Sequence, residues 1–347
     1  MSIRTGLIGA GNIARAHLPA YRDHDALTLT GVCDADPSAT EETASAFEVE
    51  TWTDIDTFVR EAPLDAVDIT LPHHLHYPAA RAALEADLHV HVEKPFAISM
   101  EECRELVALA DERDRRLMVG QMQRFDPANR ALFRLIERGD LGQLHHVRAD
   151  GIQNLRDYAA PGHWLYDGKR AGGGGVISVL VHKIDLLRYF VGDAVRVAGI
   201  GKTTDDAFEA AEDYATVLVE FEGDVHGQFF STYAAAGIPY GEAFWLYGEE
   251  RVATSLPRTG EYGGTPAISQ PNDKRSFEPV DPATDLAADD PFTNELLHFA
   301  DCIETGTAPL SSGRDNLGTM AVVFAIYESL TRDGAWVDVE TIRTGEY

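Results

Sequence analysis

Residues 3–14 read Ile-Arg-Thr-Gly-Leu-Ile-Gly-Ala-Gly-Asn-Ile-Ala, and this stretch decides the fold of the first half of the chain. Ile3–Ile8 is predicted to be a buried strand, and the pattern G-x-G-x-x-A turns it into a helix over residues 12–23. The first glycine permits the tight turn, the second lets the backbone approach a pyrophosphate, and the small third residue allows close packing. The turn predicts a dinucleotide site at a helix N-terminus, and the alternative is a purely structural turn. The candidate contacts are Gly9, Gly11, Asn12 and Ile13.

Asp34 follows the second predicted strand, Leu27–Cys33, about twenty residues after the glycine turn. An acidic side chain in this position accepts hydrogen bonds from the adenosine ribose hydroxyls and repels a 2′-phosphate. No arginine occurs at residues 35–38 to attract such a phosphate. We therefore expect NAD rather than NADP as the cofactor.

Strands and helices alternate over residues 1–121. Further strands are predicted at 66–70, 88–92 and 117–120, and helices around 38–47, over 78–86 and after the Ser99-x-x-Glu102 capping box. Strands separated by helical segments imply right-handed βαβ crossovers and a parallel sheet. The pattern predicts an α/β domain with a doubly wound parallel sheet over residues 1–121.

Lys94 lies in the run His91-Val92-Glu93-Lys94-Pro95, directly after one of these strands. The chain has 29 Lys and Arg residues, of which five are lysines and the other 24 are arginines. The few lysines are therefore candidates for positions that need an ammonium group. Because the carboxyl end of a parallel strand faces the crevice where such sheets bind ligands, Lys94 is the first candidate for a catalytic residue.

Residues 122–347 predict an α+β domain with a largely antiparallel open sheet. Alternating segments indicate strands at 144–151, 195–201, 214–221, 225–233 and 244–247, with a hairpin at 222–224. Helices are expected over 127–138, 176–190, 292–304 and 316–332. Residues 257–290 are rich in glycine, proline and acids and predict a long surface excursion.

Four glycines, Gly172–Gly175, precede the predicted long helix that carries His182 and Asp185. A spacing of three residues places both side chains on one helical face. We expect the glycines to let the helix N-terminus approach a ligand closely. Histidine titrates near working pH, so His182 is a candidate general base for a hydroxyl. The alternative for a lone helical histidine is a hydrogen-bonded core residue.

Several motifs occur in a definite order along the chain. G-x-G-x-x-A and the acid after the second strand are followed by Leu71-Pro72-x-x-x-His76, Glu93-Lys94-Pro95, Arg124-Phe125 and a glycine run before His182-x-x-Asp185. This order resembles the Gfo/Idh/MocA oxidoreductases. The resemblance implies a Rossmann domain and a second sheet domain that binds substrate and builds a homodimer or homotetramer. It also implies oxidation or reduction of a secondary alcohol or carbonyl of a sugar, inositol or related polyol with NAD(P).

The resemblance further implies roles for individual residues. It places Lys94 next to the reacting oxygen beside His182, and it makes Asp185 a substrate contact. Many members carry Asp four residues before that histidine, where this chain has Ser178. Serine can hydrogen-bond a substrate hydroxyl but carries no charge, so Lys94 and His182 are expected to handle the hydroxyl proton during hydride transfer to the nicotinamide. The residues that the resemblance places near the nicotinamide are Leu71, Pro72, His73, His76 and Glu93.

Three further candidates have two interpretations each. Arg124 is either a substrate contact or a surface ion-pair residue. Trp164 and Tyr233 either line the substrate pocket or belong to core or interface packing. The histidines at 73, 74, 76, 89 and 91 lack a supporting Cys or carboxylate pattern, so no metal is expected.

The charge of the chain sets further bounds. The formal net charge is −28, with 57 acidic against 29 basic residues. Such a charge opposes compaction at ordinary ionic strength but is largely screened at about 1 M salt, where the Debye length is roughly 3 Å. With scarce lysine, it predicts a halophilic protein and argues against nucleic acid as a partner. The sequence has no apolar run of membrane-span length and no signal segment, which predicts a soluble cytoplasmic protein.

Three classes of function remain open. The leading one is an NAD-dependent sugar or polyol dehydrogenase, or the reverse reductase. The second is an NAD-dependent glycosidase that works by transient oxidation, which would release a chromogenic aglycone without net consumption of NAD. The third is a catalytically silent, cofactor-sensing regulator, which the presence of both Lys94 and His182 disfavours.

Overall fold

The computed structural model describes residues 2–236, 241–257, 264–270 and 273–346, and the chain forms two compact units. The first unit holds the chain up to Met122 together with Ala287–Leu317. The second holds Gln123–Leu286 together with the chain from Gly318 onward. The sequence pattern places the domain boundary between residues 121 and 122, and the structure places the first change of unit between Met122 and Gln123. It does not predict the return of Ala287–Leu317 to the first unit.

The first unit is built on a six-stranded parallel sheet. Its strands β1–β6 are Ile3–Ile8, Leu27–Cys33, Glu50–Trp52, Ala66–Ile69, His89–Glu93 and Leu117–Gly120. The order across the sheet is β3-β2-β1-β4-β5-β6, and all five neighbouring pairs are parallel. The expected doubly wound parallel sheet is confirmed, and the bounds of β1, β2 and β6 agree with the prediction.

Helices accompany both sheets. In chain order, α1–α11 are Ala14–Asp23, Pro37–Phe47, Ile55–Glu61, His76–Glu85, Met100–Glu112, Pro127–Glu137, Gly168–Ala171, Val181–Val191, Pro291–Thr305, Gly313–Thr331 and Val339–Thr344. The first five and α9 lie in the first unit. The predicted cap of α5 is confirmed, because the Ser99 hydroxyl accepts a hydrogen bond from the Glu102 amide at 3.2 Å.

Along the described residues, no helix has the length and apolar content that a bilayer crossing requires.

The second unit is built on a nine-stranded mixed sheet. Its strands β7–β15 are Leu144–Ile152, Ala194–Lys202, Tyr214–Phe221, His226–Thr232, Gly241–Gly248, Val252–Pro257, Gly264–Gln270, Asp273–Pro279 and Val337–Asp338. The order across the sheet is β14-β13-β12-β11-β7-β10-β9-β8-β15. Strands β7 and β10 are parallel, and the other described neighbours are antiparallel. The expected largely antiparallel sheet is confirmed.

One face of this second sheet is buried and the other is exposed. Along β9, Val217 and Val219 are buried, whereas Leu218 between them is 52% exposed. Alternation with a period of two is what a half-buried strand requires. The helical segment from Val176 to Val191 packs against β7 and β10. The sheet therefore supports the segment that carries His182.

The prediction of a long surface excursion over residues 257–290 is wrong in part. This stretch contains β13 and β14, which add two strands to one edge of the sheet. Of these two, only β14 is an edge strand, and its Phe277 is 50% exposed, so an apolar side chain there does not mark a buried face. Residues 258–263 and 271–272 lie outside the described residues. The short elements β3, α3, β15 and α11, and strand β12, are likewise absent from the sequence prediction.

Candidate functional sites

A cleft of about 630 Å³ opens in the first unit at the carboxyl ends of β1, β2 and β4. Open parallel sheets bind ligands at this edge. The cleft is bordered by the glycine turn, by Asp34 and by the loop after β4. Its wall includes the predicted cofactor residues Gly9, Gly11, Asp34, Leu71 and Pro72.

The two glycines of the turn serve different purposes. Gly9 has φ +95°, and a Cβ there would lie 2.7 Å from the Thr70 carbonyl oxygen, so the fold itself requires glycine. A Cβ on Gly11 would meet nothing within 4 Å. Gly11 therefore leaves open a space that protein atoms do not fill, as close approach of a pyrophosphate requires.

The first turn of α1 also fits an anion. Its N-cap residue, Ile13, supplies no side-chain oxygen to the helix N-terminus. The N–H groups of a helix N-terminus carry a partial positive charge and bind phosphate. Asn12 and Ile13 form the turn that precedes the helix, which begins at Ala14 rather than at Asn12. The residues present therefore fit the pyrophosphate of a dinucleotide.

The Asp34 carboxylate is held in a fixed position at the end of β2. Its Oδ2 accepts from the Ala10 amide and its Oδ1 from the Asp36 amide, both at 2.9 Å. Two further acids, Asp54 and Asp56, border the same cleft. Among the described residues that line this cleft, none is lysine or arginine. The electrostatics of the cleft therefore oppose a 2′-phosphate.

The loop after β4 is braced by a buried histidine. His76 is fully buried, and its Nδ1 and Nε2 lie 2.7 Å from the carbonyl oxygens of Pro95 and Leu71. Burial lowers the pKa of His76, although both carbonyls oppose that shift. His76 thus connects the cleft loop to the residue that follows Lys94. His73 is also buried and does not border the cleft.

Lys94 follows β5 directly and is half-buried. The neighbouring Glu93 is 4% exposed, and its Oε2 accepts from the Lys94 amide at 3.0 Å. Burial opposes ionisation of Glu93, but a hydrogen bond from His17 and the charges of His17 and Lys94 outweigh it, so the pKa of Glu93 is lowered. Glu93 is therefore a buried anion directly beside Lys94 in the chain.

In the second unit, His182 lies on the helical segment that the sequence predicts over residues 176–190, but the first five residues of this segment are not an α-helix. The segment begins as a π-helical turn, Val176–Leu180, and continues as α8. Single π-helical turns occur frequently at functional sites. His182 and Ser178 are 8% and 5% exposed, so both are largely enclosed.

The expectation that the glycine run lets this N-terminus approach a ligand is wrong. The buried Glu212 carboxylate accepts from the Gly174 amide at 2.9 Å and from the Val176 amide at 2.7 Å. A Cβ on Gly173 would lie 2.0 Å from the Tyr327 hydroxyl, and one on Gly174 would lie 1.7 Å from the Glu212 carbonyl oxygen. The glycines therefore make room for the protein's own side chain and backbone. Burial raises the pKa of Glu212 to about 7, against the opposing effect of these backbone hydrogen bonds.

Asp185 and Arg124 form a buried ion pair with each other. Arg124 Nε donates to Asp185 Oδ2 at 2.6 Å, and Nη2 donates to Oδ1 at 2.7 Å. The Thr319 hydroxyl also donates to Asp185 Oδ1, at 2.8 Å. The side chains of Arg124 and Asp185 are only 2% and 1% exposed, so the alternative of a surface ion pair for Arg124 is wrong, although the ion pair itself is present.

Two of the predicted substrate contacts, Ser178 and Tyr233, are buried. Burial raises the pKa of Tyr233, and the Ser178 hydroxyl opposes the rise. Tyr233 packs in a cluster with Leu155, Tyr166 and Phe208, as its core interpretation expects. Trp164 lies in a short 3₁₀ turn, half-buried, with its ring 5.4 Å from that of His163.

The sequence reasoning misses a buried lysine beside His182. Lys183 is 4% exposed, and its ammonium donates to Gln123 Oε1 at 2.7 Å and lies 2.9 Å from Glu242 Oε2. Gln123 also donates to Glu242. Lysine scarcity could have identified it, because Lys183 is one of only five lysines and is therefore as much a candidate for a position that needs an ammonium group as Lys94 is.

The sequence reasoning also misses a buried polar group in the first unit. Asp68 lies in the middle of β4 and is fully buried together with His17 of α1 and His91 of β5. A charged residue inside the apolar run Ala66–Ile69 was the signal for it. Such a residue requires partners within the protein.

Two protein-family models match the chain. The GFO_IDH_MocA model, described as an oxidoreductase family with an NAD-binding Rossmann fold, matches residues 3–121. The GFO/IDH/MocA C-terminal domain model matches residues 129–254. These matches fall on the parallel-sheet unit and on most of the mixed-sheet unit.

The chain is also similar to individual proteins over nearly its whole length. It is 27% identical to D-apiose dehydrogenase of Paraburkholderia graminis, covering 97% of this chain and 89% of that protein. It is 27% identical to inositol 2-dehydrogenase of Rhizobium meliloti, covering 95% and 97%. A solved structure of levoglucosan dehydrogenase in complex with NADH and levoglucosan has a TM-score of 0.88 at 24% identity, covering 98% of this chain and 100% of that one. This last similarity shows a common fold.

Proposed function

Because the chain belongs to the GFO/IDH/MocA oxidoreductase family, we propose that it transfers hydride between a nicotinamide dinucleotide and a secondary alcohol or carbonyl of a sugar, inositol or related polyol. The observation that carries the proposal is the Gly11 position, where a cleft at the strand ends leaves open the space that a pyrophosphate would fill. The names of the two similar dehydrogenases, which act on apiose and inositol, support the substrate class.

The cofactor we propose is NAD. The backbone of the turn at Gly9, Gly11, Asn12 and Ile13 would hold the pyrophosphate, and Asp34 would accept from the ribose hydroxyls. The acidic lining of the cleft supports NAD over NADP. At the nicotinamide end, we assign contacts to Leu71, Pro72, His73, His76, Glu93 and Lys94.

The nicotinamide, when bound, accepts or supplies the hydride. In the oxidation direction, His182 takes the proton of the substrate hydroxyl. The Lys94 ammonium stabilises the negative charge that develops on the substrate oxygen. Both groups return to their starting state when the carbonyl product leaves and the His182 proton passes to solvent.

The remaining candidates in the second unit divide into two groups. Arg124 and Asp185 satisfy each other's charge, and Ser178 and Tyr233 are buried, so we assign these four residues to fixing the orientation of the His182 segment. Half-buried Trp164 remains the candidate for direct substrate contact through its ring. Many family members have a negatively charged aspartate where this chain has Ser178. Asp185 does not supply that charge to a substrate in this assignment, because it is paired with Arg124.

We also propose a salt-requiring, cytoplasmic homo-oligomer. The net charge of −28 supports the salt requirement, because the repulsion between like charges opposes the compact state unless salt screens it. Apolar side chains on the exposed face of the second sheet, Ile200 and Leu218, support a homodimer or homotetramer formed through this sheet.

A screen of sugars and polyols with NAD and NADP at about 2 M KCl tests the proposal. Reduction of NAD by at least one substrate, with a higher kcat/KM for NAD than for NADP, is the expected result. Release of a chromogenic aglycone with no net change in NAD would instead identify the glycosidase. Binding of NADH without turnover of any substrate would identify a cofactor-sensing regulator.

A further inference from the structure

Six polar side chains form a buried cluster in the first unit, and the chemistry proposed above does not use most of them. They come from α1, β4, β5 and α9, so the cluster also joins the returning segment Ala287–Leu317 to the sheet. Four of them are fully buried, Glu93 is 4% exposed and Tyr21 is 7% exposed. We call them the histidine–acid cluster: His17, Tyr21, Asp68, His91, Glu93 and Glu295.

His17 lies between two carboxylates of this cluster. Its Nδ1 is 2.9 Å from Asp68 Oδ2, and its Nε2 is 3.2 Å from Glu93 Oε1. A carboxylate oxygen only accepts, so both ring nitrogens must carry a proton and His17 is an imidazolium. Burial opposes this charge, but the charges and hydrogen bonds of both carboxylates outweigh it and raise the pKa of His17 well above its usual value.

The far side of the cluster is closed by hydrogen bonds to Asp68. Its Oδ2 also accepts from the Tyr21 hydroxyl at 2.9 Å, and its Oδ1 accepts from His91 Nδ1 at 2.8 Å. The other ring nitrogen of His91 lies 3.6 Å from Glu295 Oε2. His17, Asp68 and His91 bring potential metal ligands within 4.8 Å of one another. Hydrogen bonds join Asp68 to both histidines, whereas His91 Nε2 and both Glu295 carboxylate oxygens have no hydrogen-bond partner among the described residues.

Glu93 connects this network to Lys94. One carboxylate oxygen, Oε1, faces His17, and the other, Oε2, accepts from the Lys94 amide at 3.0 Å. The charges of His17, Lys94 and His91 all lower the pKa of this buried carboxylate, and His17 is the one whose side chain is hydrogen-bonded to it. In a buried site an unbalanced carboxylate attracts the nearest cation strongly.

We propose that His17 is a positioning residue for the reaction, because its imidazolium balances the Glu93 carboxylate and thereby leaves the Lys94 ammonium directed to substrate. This inference rests on the role proposed for Lys94. Without the imidazolium, Lys94 and His91 are the cations left to balance Glu93, and Lys94 is its direct neighbour in the chain. The ammonium then turns toward Glu93, holds its proton more tightly and polarises substrate less well.

Competitive labelling of Lys94 with acetic anhydride across a pH series measures this effect without any substrate. The chain has only five lysines, so mass spectrometry can assign the Lys94 peptide, and exposed Lys202 serves as internal reference. Among the described groups, Glu93 and His76 interact electrostatically with Lys94, and His17, Asp68, His91 and Glu295 lie in the same cluster as Glu93. The change to make is His17→Asn, whose amide can reach Asp68 but not Glu93.

In His17→Asn we expect the labelling midpoint of Lys94 to rise by at least about half a pH unit while Lys202 is unchanged. The kcat should fall by about tenfold or more, with the Kd for NADH within about twofold of wild type. The matched control is Tyr21→Phe, which removes a hydrogen bond to the same Asp68 and leaves Glu93 alone. It should keep both the midpoint and kcat, even if its melting temperature falls.

An unchanged Lys94 midpoint in folded His17→Asn would overturn the proposal, as would an equal shift in Tyr21→Phe. If His17→Asn does not fold, His17→Gln, which reaches Glu93 with an uncharged amide, takes its place with the same expected rise. Failure of the proposed function would appear as absence of turnover in the wild-type protein. The labelling result would still decide the role of His17, so the two failures are distinguishable.

Discussion

The Arg124 guanidinium holds the Asp185 carboxylate through two hydrogen bonds, from Nε at 2.6 Å and from Nη2 at 2.7 Å. The pair joins the turn before α6 to α8, the helix that also carries His182. Both side chains are almost completely buried. Asp185, three residues after His182, is thus the partner of Arg124. Because the Arg124 charge balances it, a buried carboxylate is tolerated close to the proposed general base.

Removal of one member of this pair should destabilise the second unit strongly. Arg124→Ala leaves the Asp185 charge buried, and we expect a loss of about 3–5 kcal/mol in the free energy of unfolding. Urea unfolding at constant KCl concentration measures it. The double change Arg124→Ala with Asp185→Ala should recover part of the loss. Fully additive losses would show that the two charges do not interact.

The two glycines of the cofactor turn should respond in opposite ways to alanine. Gly11→Ala adds a Cβ into open space at an ordinary φ, so the melting temperature should stay within about 2 °C of wild type while NADH affinity falls about tenfold or more. Gly9→Ala forces a positive φ and a clash with Thr70, so it should destabilise the fold by about 1–3 kcal/mol. Fluorescence titration with NADH and thermal unfolding separate the two effects. Unchanged NADH affinity in Gly11→Ala would contradict the proposed pyrophosphate position.

Asp34 should control the choice between the two dinucleotides. Asp34→Ser removes a charged acceptor, and we expect kcat/KM for NAD to fall by about ten- to a hundredfold. The kcat/KM for NADP should rise, because the repulsion of its 2′-phosphate is removed. Asp23→Ser, an exposed acid at the end of α1, is the matched control and should change neither value. Equal losses for NAD and NADP in Asp34→Ser would contradict the ribose contact.

Glu212 should make stability depend on pH in the neutral range. Its pKa in the folded protein is raised to about 7 by burial, above the value of 4.5 for an exposed glutamate. The folded state therefore binds more protons between these values, and this contribution to stability falls as pH rises from about 4.5 to about 7. Glu212→Gln should gain melting temperature relative to wild type between pH 5 and pH 8, by roughly 3–6 °C. A difference that is constant across this range would show that Glu212 does not titrate there.

The extent to which the fold follows from sequence depends on how strongly each element is patterned. The bounds of β1, β2, β6 and β9 follow directly from short apolar or alternating runs. Strands β13 and β14 do not, because their sequences, Gly264–Gln270 and Asp273–Pro279, lack a clear alternation of apolar and polar residues. The return of Ala287–Leu317 depends on contacts between residues far apart in the chain, such as His91 with Glu295.

The candidate sites show the same division. The glycine turn and Asp34 border one cleft, because local motifs at strand ends converge at one edge of a parallel sheet. The run Gly172–Gly175 is misread, because glycine admits a close neighbour without specifying which one, and here the neighbours are Glu212 and Tyr327. The pairing of Arg124 with Asp185 cannot be predicted in this way, because the two residues are far apart in the sequence and no local motif indicates that they are in contact.

The turnover of Lys94→Ala tests directly whether Lys94 acts on the reacting oxygen of a sugar or polyol. With NAD and the best substrate at about 2 M KCl, we expect kcat to fall by about a hundredfold or more, as in His182→Ala. NADH binding should be retained. Lys202→Ala, which removes an exposed lysine of β8, should keep wild-type turnover. Wild-type turnover in Lys94→Ala would show that Lys94 does not act on the reacting oxygen.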